Sequence, residues 1–322
     1  MVQLDGASNA FLTAMDFGIN IFQEKIPTKG EDSFLYSFNR AGGIAGVFDG
    51  CGGSGAKKYE RYGGNTGAYM ASRVVCGAVK DWRYDCLNTG SGTVDISSLK
   101  CRIKAYLNIC KETGGSTTAM RGSLAKDFPT TAAVLLTTVN RGLLQATCIW
   151  VGDSRCYLLD SDGLKQLTED DLDGLDAMEN LTADGVLTNV ISASRDFDIH
   201  EKTITFTKPC ILFTATDGCF GYLSTPMEFE YLLLSTLLSA DSVTDWENAL
   251  TSALRDLAGD DFTLSGMSFG FGSLMSLKTS FQNRYAHLLK NYISGITGKS
   301  QEEKIALWNT YAVGYSRYLR EG

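Results

Sequence analysis

The sequence predicts an α+β fold with antiparallel β-sheets. The main observation is the order of elements: β-type runs, two stretches of helical period, β-type runs, two more helical stretches and a last β-type run. Because strands and helices do not alternate one by one, this order argues against βαβ units and a parallel sheet. With 322 residues, 44% of them hydrophobic and 20% charged, the chain is long enough for one large domain.

The first half of the chain contains strands, two helices and then strands again. Up to about residue 49 it reads as short strands, among them SFLYSF and GGIAGVF. Apolar residues at helical spacing then predict two helices, in GNTGAYMASRVVCGAVKDWRYDCL and VDISSLKCRIKAYLNICKE. After the connector GGSTTAMRG, the runs TTAAVLLTTV, LLQATCIWVG and SRCYLLD predict a meander with turns at NRG and GDS.

The second half repeats this pattern and adds a tail. KTITFT and CILFTATDG continue the predicted sheet, PMEFEYLLLSTLLSA and VTDWENALTSALRDLAG are helical, and SGMSFGFGSLMSL is a last strand. The segment 278–322 predicts two helices joined at GITGKS. We therefore divide the chain into a domain of residues 1–277 and a C-terminal helical extension, 278–322, and expect activity from residues 1–277 alone.

Composition narrows the function classes. A net charge of −8 argues against nucleic-acid binding. The start has no basic segment followed by an apolar one, and no run approaches 18 apolar residues, so we expect a cytoplasmic protein without membrane contact. Nine cysteines form no CxxC pair, and only two histidines are present. A metal site would therefore use mainly oxygen ligands, which favours magnesium or manganese.

Carboxylates recur where predicted strands begin or end. If these strands are neighbours, the acids converge, and such like charges cannot all stay ionised without a cation. Two divalent ions bridged by one carboxylate would resolve the repulsion and make a bound water nucleophilic at neutral pH. This predicts a binuclear hydrolase of phosphate esters, although an Asp-Gly turn is the simpler reading of each motif alone. The acids are Glu31 and Asp32 in GEDSF, Asp49 in GVFDGCGG, Asp153 in VGDSR, Asp217 in ATDG, and Asp260 and Asp261 in AGDDFT.

The wording and order of these motifs resemble the metal-dependent protein phosphatase family (PPM, type 2C). The matching stretches are GEDSF, GVFDGCGG, PTTAAVLL, WVGDSRCYLL, QLTEDD, LFTATDGCFGYLS and GDDFTLSGM, over roughly residues 18–275. The resemblance implies a four-layer sandwich of two antiparallel β-sheets flanked by α-helices, with a C-terminal helical extension. It implies a bacterial-type serine/threonine phosphatase that uses Mn²⁺ or Mg²⁺, with two core ions and a more weakly held third.

The resemblance also implies roles for matching residues. Asp49 would bridge the two core ions, Glu31 and the Gly50 carbonyl would complete the second, and Asp217 and Asp260 would hold the first. Asp153, with Asp217, resembles the pair that binds the third ion, and Asp32 would orient the metal-bound water. Asp32, Asp49 and Asp217 are thus the implied catalytic acids. The implied partner is a phosphoprotein, the product of a serine/threonine kinase.

The chain departs from the family pattern at four positions. Cys51 replaces a histidine of animal members, Asp171 replaces the histidine of LTxDH, and Asp261 replaces an asparagine, so the last two add negative charge near the site. Pro27 stands where the family places a phosphate-binding arginine. In an extended strand Lys29 would share a face with Pro27 and Glu31, so we expect Lys29 to bind the substrate phosphate.

Three function classes follow from these observations. The first is a Mg/Mn-dependent phosphoserine/phosphothreonine phosphatase, and the retained acids favour it. The second is a catalytically weak pseudophosphatase that binds phosphoproteins as a regulatory or scaffold protein, which the lost arginine favours. A nuclease fits the carboxylates but not the acidic composition. The segment 169–184, which has seven acids and no Lys or Arg, occupies the position of the family's mobile flap and would attract a basic phosphopeptide or lie as a solvated loop.

Overall fold

The computed structural model describes residues 10–89, 94–114, 126–140, 142–173, 176–182 and 185–319. The connector GGSTTAMRG, apart from its first residue, lies outside the described residues. The strands are β1 (Met15–Gln23), β2 (Ser33–Asn39), β3 (Gly42–Phe48), β4 (Lys58–Tyr59), β5 (Asn65–Thr66), β6 (Ala132–Asn140), β7 (Leu143–Val151), β8 (Arg155–Asp160), β9 (Gly163–Gln166), β10 (His200–Phe206), β11 (Cys210–Ala215) and β12 (Phe262–Phe269).

The helices of the described part are α1 (Ala10–Ala14), α2 (Gly52–Gly55), α3 (Gly67–Thr89), α4 (Ile96–Gly114), α5 (Glu179–Thr182), α6 (Pro226–Ser239), α7 (Val243–Arg255), α8 (Leu274–Leu288) and α9 (Gln301–Tyr315). The six long helices among them lie close to where the periodicity predicts them, but α8 begins inside the predicted last strand, and the short α1, α2 and α5 were not predicted. Among the residues with described positions, no helix combines the length and hydrophobicity that crossing a bilayer requires.

Two five-stranded antiparallel sheets form the centre of the protein. The first sheet has the order β1-β12-β11-β8-β9, and the second has the order β10-β7-β6-β3-β2. Residues alternate along β6: Ala133 and Leu135 point into the space between the sheets, whereas Val134 and Leu136 pack against α3 and α4. On the outer face of the first sheet, Phe213 of β11 packs with α6 and α7. The predicted four-layer α+β sandwich is confirmed.

The predicted meander is wrong at one turn. β6 and β7 form the expected hairpin, but β8 pairs with β11 and β9 in the other sheet. Residues Gly152–Ser154 therefore carry the chain from one sheet to the other. The strands β10 and β11 likewise belong to different sheets. A crossover and a hairpin both need only a short polar turn, so the sequence of the turn does not distinguish them.

The C-terminal extension shares the core of the first sheet. The helix α8 begins at Leu274, so a boundary at residue 277 falls inside a helix. Phe281 and Trp308 are 0% and 2% exposed and belong to the same hydrophobic cluster as Tyr157 of β8 and Phe229 of α6. The independence of residues 1–277 stays a prediction, and this packing argues that removing the extension costs stability.

Replacing Phe281 by alanine should lower the free energy of unfolding by about 3–5 kcal/mol, because a fully buried ring leaves a cavity. Met275→Ala on the same helix is the control, since that side chain is 70% exposed and its loss should change stability by less than about 0.5 kcal/mol. Urea unfolding measures both variants. Equal stabilities would show that the extension does not contribute to the core.

Candidate metal centre

The predicted acids lie at one end of both sheets. In the second sheet Ser33 at the start of β2 pairs with Phe48 at the end of β3. In the first sheet Ala215 at the end of β11 pairs with Arg155 at the start of β8 and with Leu264 near the start of β12. The acids beside these strand ends are Asp32, Asp49, Asp153, Asp217 and Asp260.

Asp32 joins the two sheets. It precedes β2 of the second sheet and is 1% exposed, and its Oδ2 accepts hydrogen bonds from Thr216 Oγ1 (2.9 Å) and Thr263 Oγ1 (2.7 Å) of the first sheet. Burial first, and then the charges of Asp217 and Asp261, together raise the pKa of Asp32 to about 7, against the effect of these two hydroxyl donors.

Asp49 is fixed through its backbone. Its carbonyl accepts from Thr130 Oγ1 (2.6 Å) and from the Thr131 amide (2.8 Å), which leaves the carboxylate free to face the other acids. Burial, and then the charges of Asp217, Asp32 and Asp153, raise its pKa well above the usual range.

The glycines after Asp49 serve close approach and not a left-handed turn. A Cβ at Gly50 would lie 2.5 Å from the Ala68 carbonyl oxygen, and a Cβ at Gly52 would lie 2.2 Å from Glu31 Oε2. Neither glycine has a positive φ. The sharp turn predicted here is therefore not the reason for them, since the constraint is the space between α3 and the loop that carries Glu31.

Glu31 is held by α3 and by the residues just before it. Its Oε1 accepts from Thr66 Oγ1, its carbonyl accepts from Ser72 Oγ, and Arg73 Nη2 donates to the neighbouring Gly30 carbonyl (3.0 Å). Burial and the charges of Asp261 and Asp260 raise the pKa of Glu31, while Thr66 and Arg73 lower it. These contacts place Glu31 beside the Asp49–Gly50 turn.

The acids Asp260 and Asp261 differ in role. Asp260 is exposed, and its Oδ1 accepts from the Asp261 amide (2.8 Å). Asp261 is 9% exposed, and its two oxygens accept from the backbone amides of Lys25 (2.7 Å) and Glu31 (2.6 Å). Asp261 therefore positions the loop that carries Glu31. From the sequence alone, only the negative charge of Asp261 was evident, and not this positioning role.

Asp171 is also a positioning group. Its Oδ2 accepts from the Gly152 amide and from Asn189 Nδ2, both at 2.8 Å, and its Oδ1 lies 2.8 Å from His200 Nε2. These bonds fix the crossover that carries Asp153. From the sequence, Asp171 was interpreted as a negative charge added beside the phosphate. In the structure, both of its oxygens are occupied by donors within the protein.

Asp153 carries a buried oxygen that needs a partner. Its Oδ1 has no hydrogen-bond partner among the described residues. Burial raises the pKa of Asp153 to about 8, with further contributions from the charges of Asp217 and Asp170. A Cβ at the preceding Gly152, whose φ is +93°, would lie 2.6 Å from Thr131 Cγ2, so this position requires glycine.

Arg155 is a site residue that sequence reasoning missed, although it ends the motif VGDSR. It is 2% exposed, and its Nε and Nη2 donate to both oxygens of Asp170, at 2.9 and 2.6 Å. Burial raises the pKa of both Asp153 and Asp217, and the charge of Asp260 raises that of Asp217 further. The charge of Arg155 lowers both pKa values. The signal for it was a lone basic residue in an otherwise apolar strand.

The loop before Glu31 differs from the prediction for Lys29. β1 ends at Gln23 and residues 24–30 form a turn, with Thr28 at φ +66° and its amide bonded to Glu24 Oε2 at 2.6 Å. The strand parity that related Lys29 to Pro27 and Glu31 is therefore wrong. Lys29 is exposed in this turn, and its phosphate-binding role stays a prediction.

The acidic segment 169–184 is divided between bonded and exposed carboxylates. Asp170 and Asp171 point inward to the donors given above, whereas Asp173 and Glu179 are exposed. Asp176 is exposed and also accepts hydrogen bonds within the protein at both oxygens. Residues 174, 175, 183 and 184 lie outside the described part. The predicted flap is thus tied to the site at one end and presents negative charge to solvent further along.

The donor set fits hard divalent cations. Besides burial, the charge of Asp217 raises the pKa of both Asp49 and Asp153, and Asp153 Oδ1 lacks a partner, so a bound cation would relieve both costs. No three His, Cys, Asp or Glu side chains of the described residues stand in a preformed metal-binding group. The carboxylates are therefore close enough to interact electrostatically without being closed around one point.

In chelator, the free energy of unfolding should fall as the pH rises from about 4 to about 8. The pKa values of Asp32 and Asp153 rise on folding from 3.8 to about 7 and about 8, so their protonated forms stabilise the fold at low pH and this contribution is lost above. Urea unfolding with EDTA at several pH values measures the effect.

The variant Asp153→Asn should weaken this pH dependence and stabilise the metal-free protein at pH 8. The exposed Asp241 provides the control Asp241→Asn, which should leave the profile unchanged. A wild-type stability that rises with pH would contradict the burial of repelling carboxylates.

Comparisons with known proteins bear on the fold. No family model and no curated protein matches the chain. Among solved structures it is similar to the serine/threonine phosphatase PstP/Ppp of Mycobacterium tuberculosis, with 17% identity, a TM-score of 0.56, and coverage of 79% of this chain and 98% of that one. It is similar to Stp1 of Staphylococcus aureus, with 18% identity, a TM-score of 0.58, and coverage of 80% and 96%.

A third similar structure is the PPM Ser-Thr phosphatase MsPP of Mycobacterium smegmatis in complex with cacodylate. It is 13% identical, with a TM-score of 0.53 and coverage of 80% of this chain and all of that one. About a fifth of the present chain thus lies outside each alignment. The chain has the fold of the bacterial PPM-type serine/threonine phosphatases.

Proposed function

We propose that this protein is a Mg/Mn-dependent phosphatase that hydrolyses phosphoserine and phosphothreonine in proteins. The observation that carries the proposal is the convergence of Asp32, Asp49, Asp153 and Asp217 at the end of the sandwich where both sheets meet. The solved structures of the same fold are serine/threonine phosphatases, and one of them is in complex with cacodylate, a tetrahedral oxyanion as phosphate is.

The residues that would hold the ions are those that the resemblance to the PPM family implies. Asp49 would bridge two core ions, with Glu31 and the Gly50 carbonyl on one side and Asp217 and Asp260 on the other. Asp153, with its unpartnered Oδ1, would hold a weaker third ion with Asp217. Divalent cations at such a site supply charge to neutralise the phosphoryl oxygens and a water nucleophile at neutral pH.

The protein's own groups would orient the reactants. Both threonine hydroxyls on Asp32 donate to Oδ2, which fixes the carboxylate plane and leaves Oδ1 to orient the attacking water. Cys51 is a weak acid, because burial, Asp49 and Asp153 raise its pKa well above the usual range. We therefore assign Cys51 no nucleophilic role, and a water molecule at the site would supply the proton for the leaving oxygen.

The second candidate is a catalytically weak pseudophosphatase that binds phosphoproteins. The observation that favours it is the turn at residues 24–30, where Pro27 offers no charge and Lys25 is engaged through its amide with Asp261 and through Nζ with the Gly259 carbonyl. Such a protein would bind a phosphopeptide and cations without turnover. Its binding partner would belong to the same class of protein, the product of a serine/threonine kinase.

Asp49→Asn and Asp217→Asn should each lower turnover of p-nitrophenyl phosphate by orders of magnitude, because removing either carboxylate weakens the hold on the cations. The fold should persist in both variants, because neither carboxylate belongs to a hydrophobic cluster or to a strand pair. Circular dichroism, which reports the secondary structure, measures this. Asp241→Asn should keep wild-type turnover.

Excess EDTA should abolish wild-type activity, and Mn²⁺ should restore it and raise the melting temperature. Full activity of Asp217→Asn, or of the wild type in EDTA, would exclude the metal-dependent mechanism. Mn²⁺-dependent stabilisation and phosphopeptide binding without turnover in the wild type would instead establish the pseudophosphatase.

Lys29→Ala should raise the Michaelis constant for a phosphopeptide severalfold with little change in Mn²⁺ affinity. Lys126 is the alternative phosphate ligand: its amide donates to the Ser54 carbonyl (3.0 Å), and its charge lowers the pKa of Cys51 against burial. Lys126→Ala is therefore measured beside it. A Michaelis constant that responds to neither substitution would mean that the cations alone bind the phosphate.

A further inference from the structure

The helix α9 presents three buried aromatic side chains to the domain. Trp308, Tyr311 and Tyr315 are 2%, 4% and 2% exposed, and their spacing of three and four residues places them on one face. Each carries a polar atom that is hydrogen bonded. Tyr311 bonds Glu230 Oε2, whereas Trp308 and Tyr315 lead towards the acids of the candidate metal centre.

The path from Tyr315 runs through Arg155. The Tyr315 hydroxyl donates to Tyr157 OH at 3.3 Å, and Arg155 Nη1 lies 3.1 Å from Tyr157 OH and 3.5 Å from Tyr315 OH. The guanidinium also lies 4.0 Å from the centre of the Phe220 ring and grips Asp170 with two bonds. Two tyrosines, one ring and one carboxylate thus define the place of the Arg155 charge.

The path from Trp308 runs through the acidic segment. Trp308 Nε1 donates to Asp176 Oδ2 at 2.9 Å, and Asp176 Oδ1 accepts from the amides of Met178 (2.9 Å) and Glu179 (3.0 Å) at the start of α5. Asn180 Nδ2 in α5 then donates to Asp170 Oδ2 at 2.9 Å. Because Asp170 is also the partner of Arg155, the two paths close into one circuit that begins and ends on α9.

This circuit ends beside the candidate metal centre. Arg155 lies two residues after Asp153, at the start of β8, and its guanidinium is bonded to Asp170 in the acidic segment. The segment that Trp308 holds carries two exposed acidic residues, Glu179 and Asp176, and both oxygens of Asp176 are hydrogen bonded within the protein. Holding both parts requires α9, which belongs to the C-terminal extension.

We propose that Trp308 and Tyr315 of α9 are positioning residues that hold the segment 176–182 and Arg155 in place for binding of a basic phosphopeptide. The hydrogen-bond circuit carries the structural part of the inference, and its effect on catalysis rests on the proposed phosphatase function. Neither residue is hydrogen bonded to the acids of the candidate metal centre. Their loss should therefore change substrate binding more than the chemical step.

The test uses Trp308→Phe, Tyr315→Phe and the double variant of the full chain. Each substitution keeps an aromatic ring and removes one hydrogen-bond donor. Two matched controls are available in the same hydrophobic cluster. Tyr311→Phe removes a hydroxyl whose partner Glu230 is paired with Arg284, and Trp246→Phe removes an indole donor bonded to Thr236 Oγ1 at 3.2 Å.

Hydrogen exchange in metal-free protein is the first measurement, because it does not depend on activity. Amide exchange of Met178 and Glu179 should rise about fivefold in Trp308→Phe, the effect of one net hydrogen bond, and stay at the wild-type rate in both controls. Unchanged exchange in the double variant, with a melting temperature lowered as in the controls, would overturn the proposal.

Kinetics on a basic phosphopeptide is the second measurement. The double variant should raise the Michaelis constant about fivefold or more while the turnover number stays within about twofold, and the controls should change neither. Faster exchange with an unchanged Michaelis constant would overturn the link to substrate binding. If exchange is faster in the variants but the wild-type protein shows no turnover, the circuit is supported and only the proposed phosphatase function is refuted.

Discussion

The repulsion among recessed carboxylates at one end of the sandwich is the constraint on which the rest of the structure depends. Burial and like charge both disfavour the ionised forms of Asp32, Asp49, Asp153 and Asp217, so an unsupported loop would turn these groups out to solvent. Here strand pairing, threonine hydroxyls and backbone amides hold them in place. The three hydrophobic clusters offset the cost, which explains why so large a core surrounds so polar a site.

Much of the fold could be predicted from the sequence, because the periodicity of apolar residues is set by whether a segment is strand or helix. Sheet membership could not be predicted. The turn Gly152–Ser154 has the polar, glycine-containing composition of a hairpin, yet it crosses between sheets. What decides the difference is the pairing of β8 with β11, a contact between residues more than fifty positions apart, which no local pattern encodes.

The acids of the site were predictable because they stand where apolar strands begin or end. The groups that position them were not. Asp261 was read as an added charge, whereas its partners are the amides of Lys25 and Glu31, more than two hundred residues earlier. Arg155 was likewise hidden, since its importance comes from Asp170 and from a tyrosine of the C-terminal extension. The parity argument for Lys29 failed because residues 24–30 turn instead of extending.

The two hydrogen bonds from backbone amides to Asp261 determine which side chains this position can accept. A carboxylate accepts at both oxygens, and each oxygen here takes one backbone N–H. An asparagine, the residue of the family pattern, would turn an NH₂ donor towards one of those amides and leave it unsatisfied. The loop through Glu31 therefore selects a carboxylate over an amide at position 261, although the two side chains have nearly the same shape.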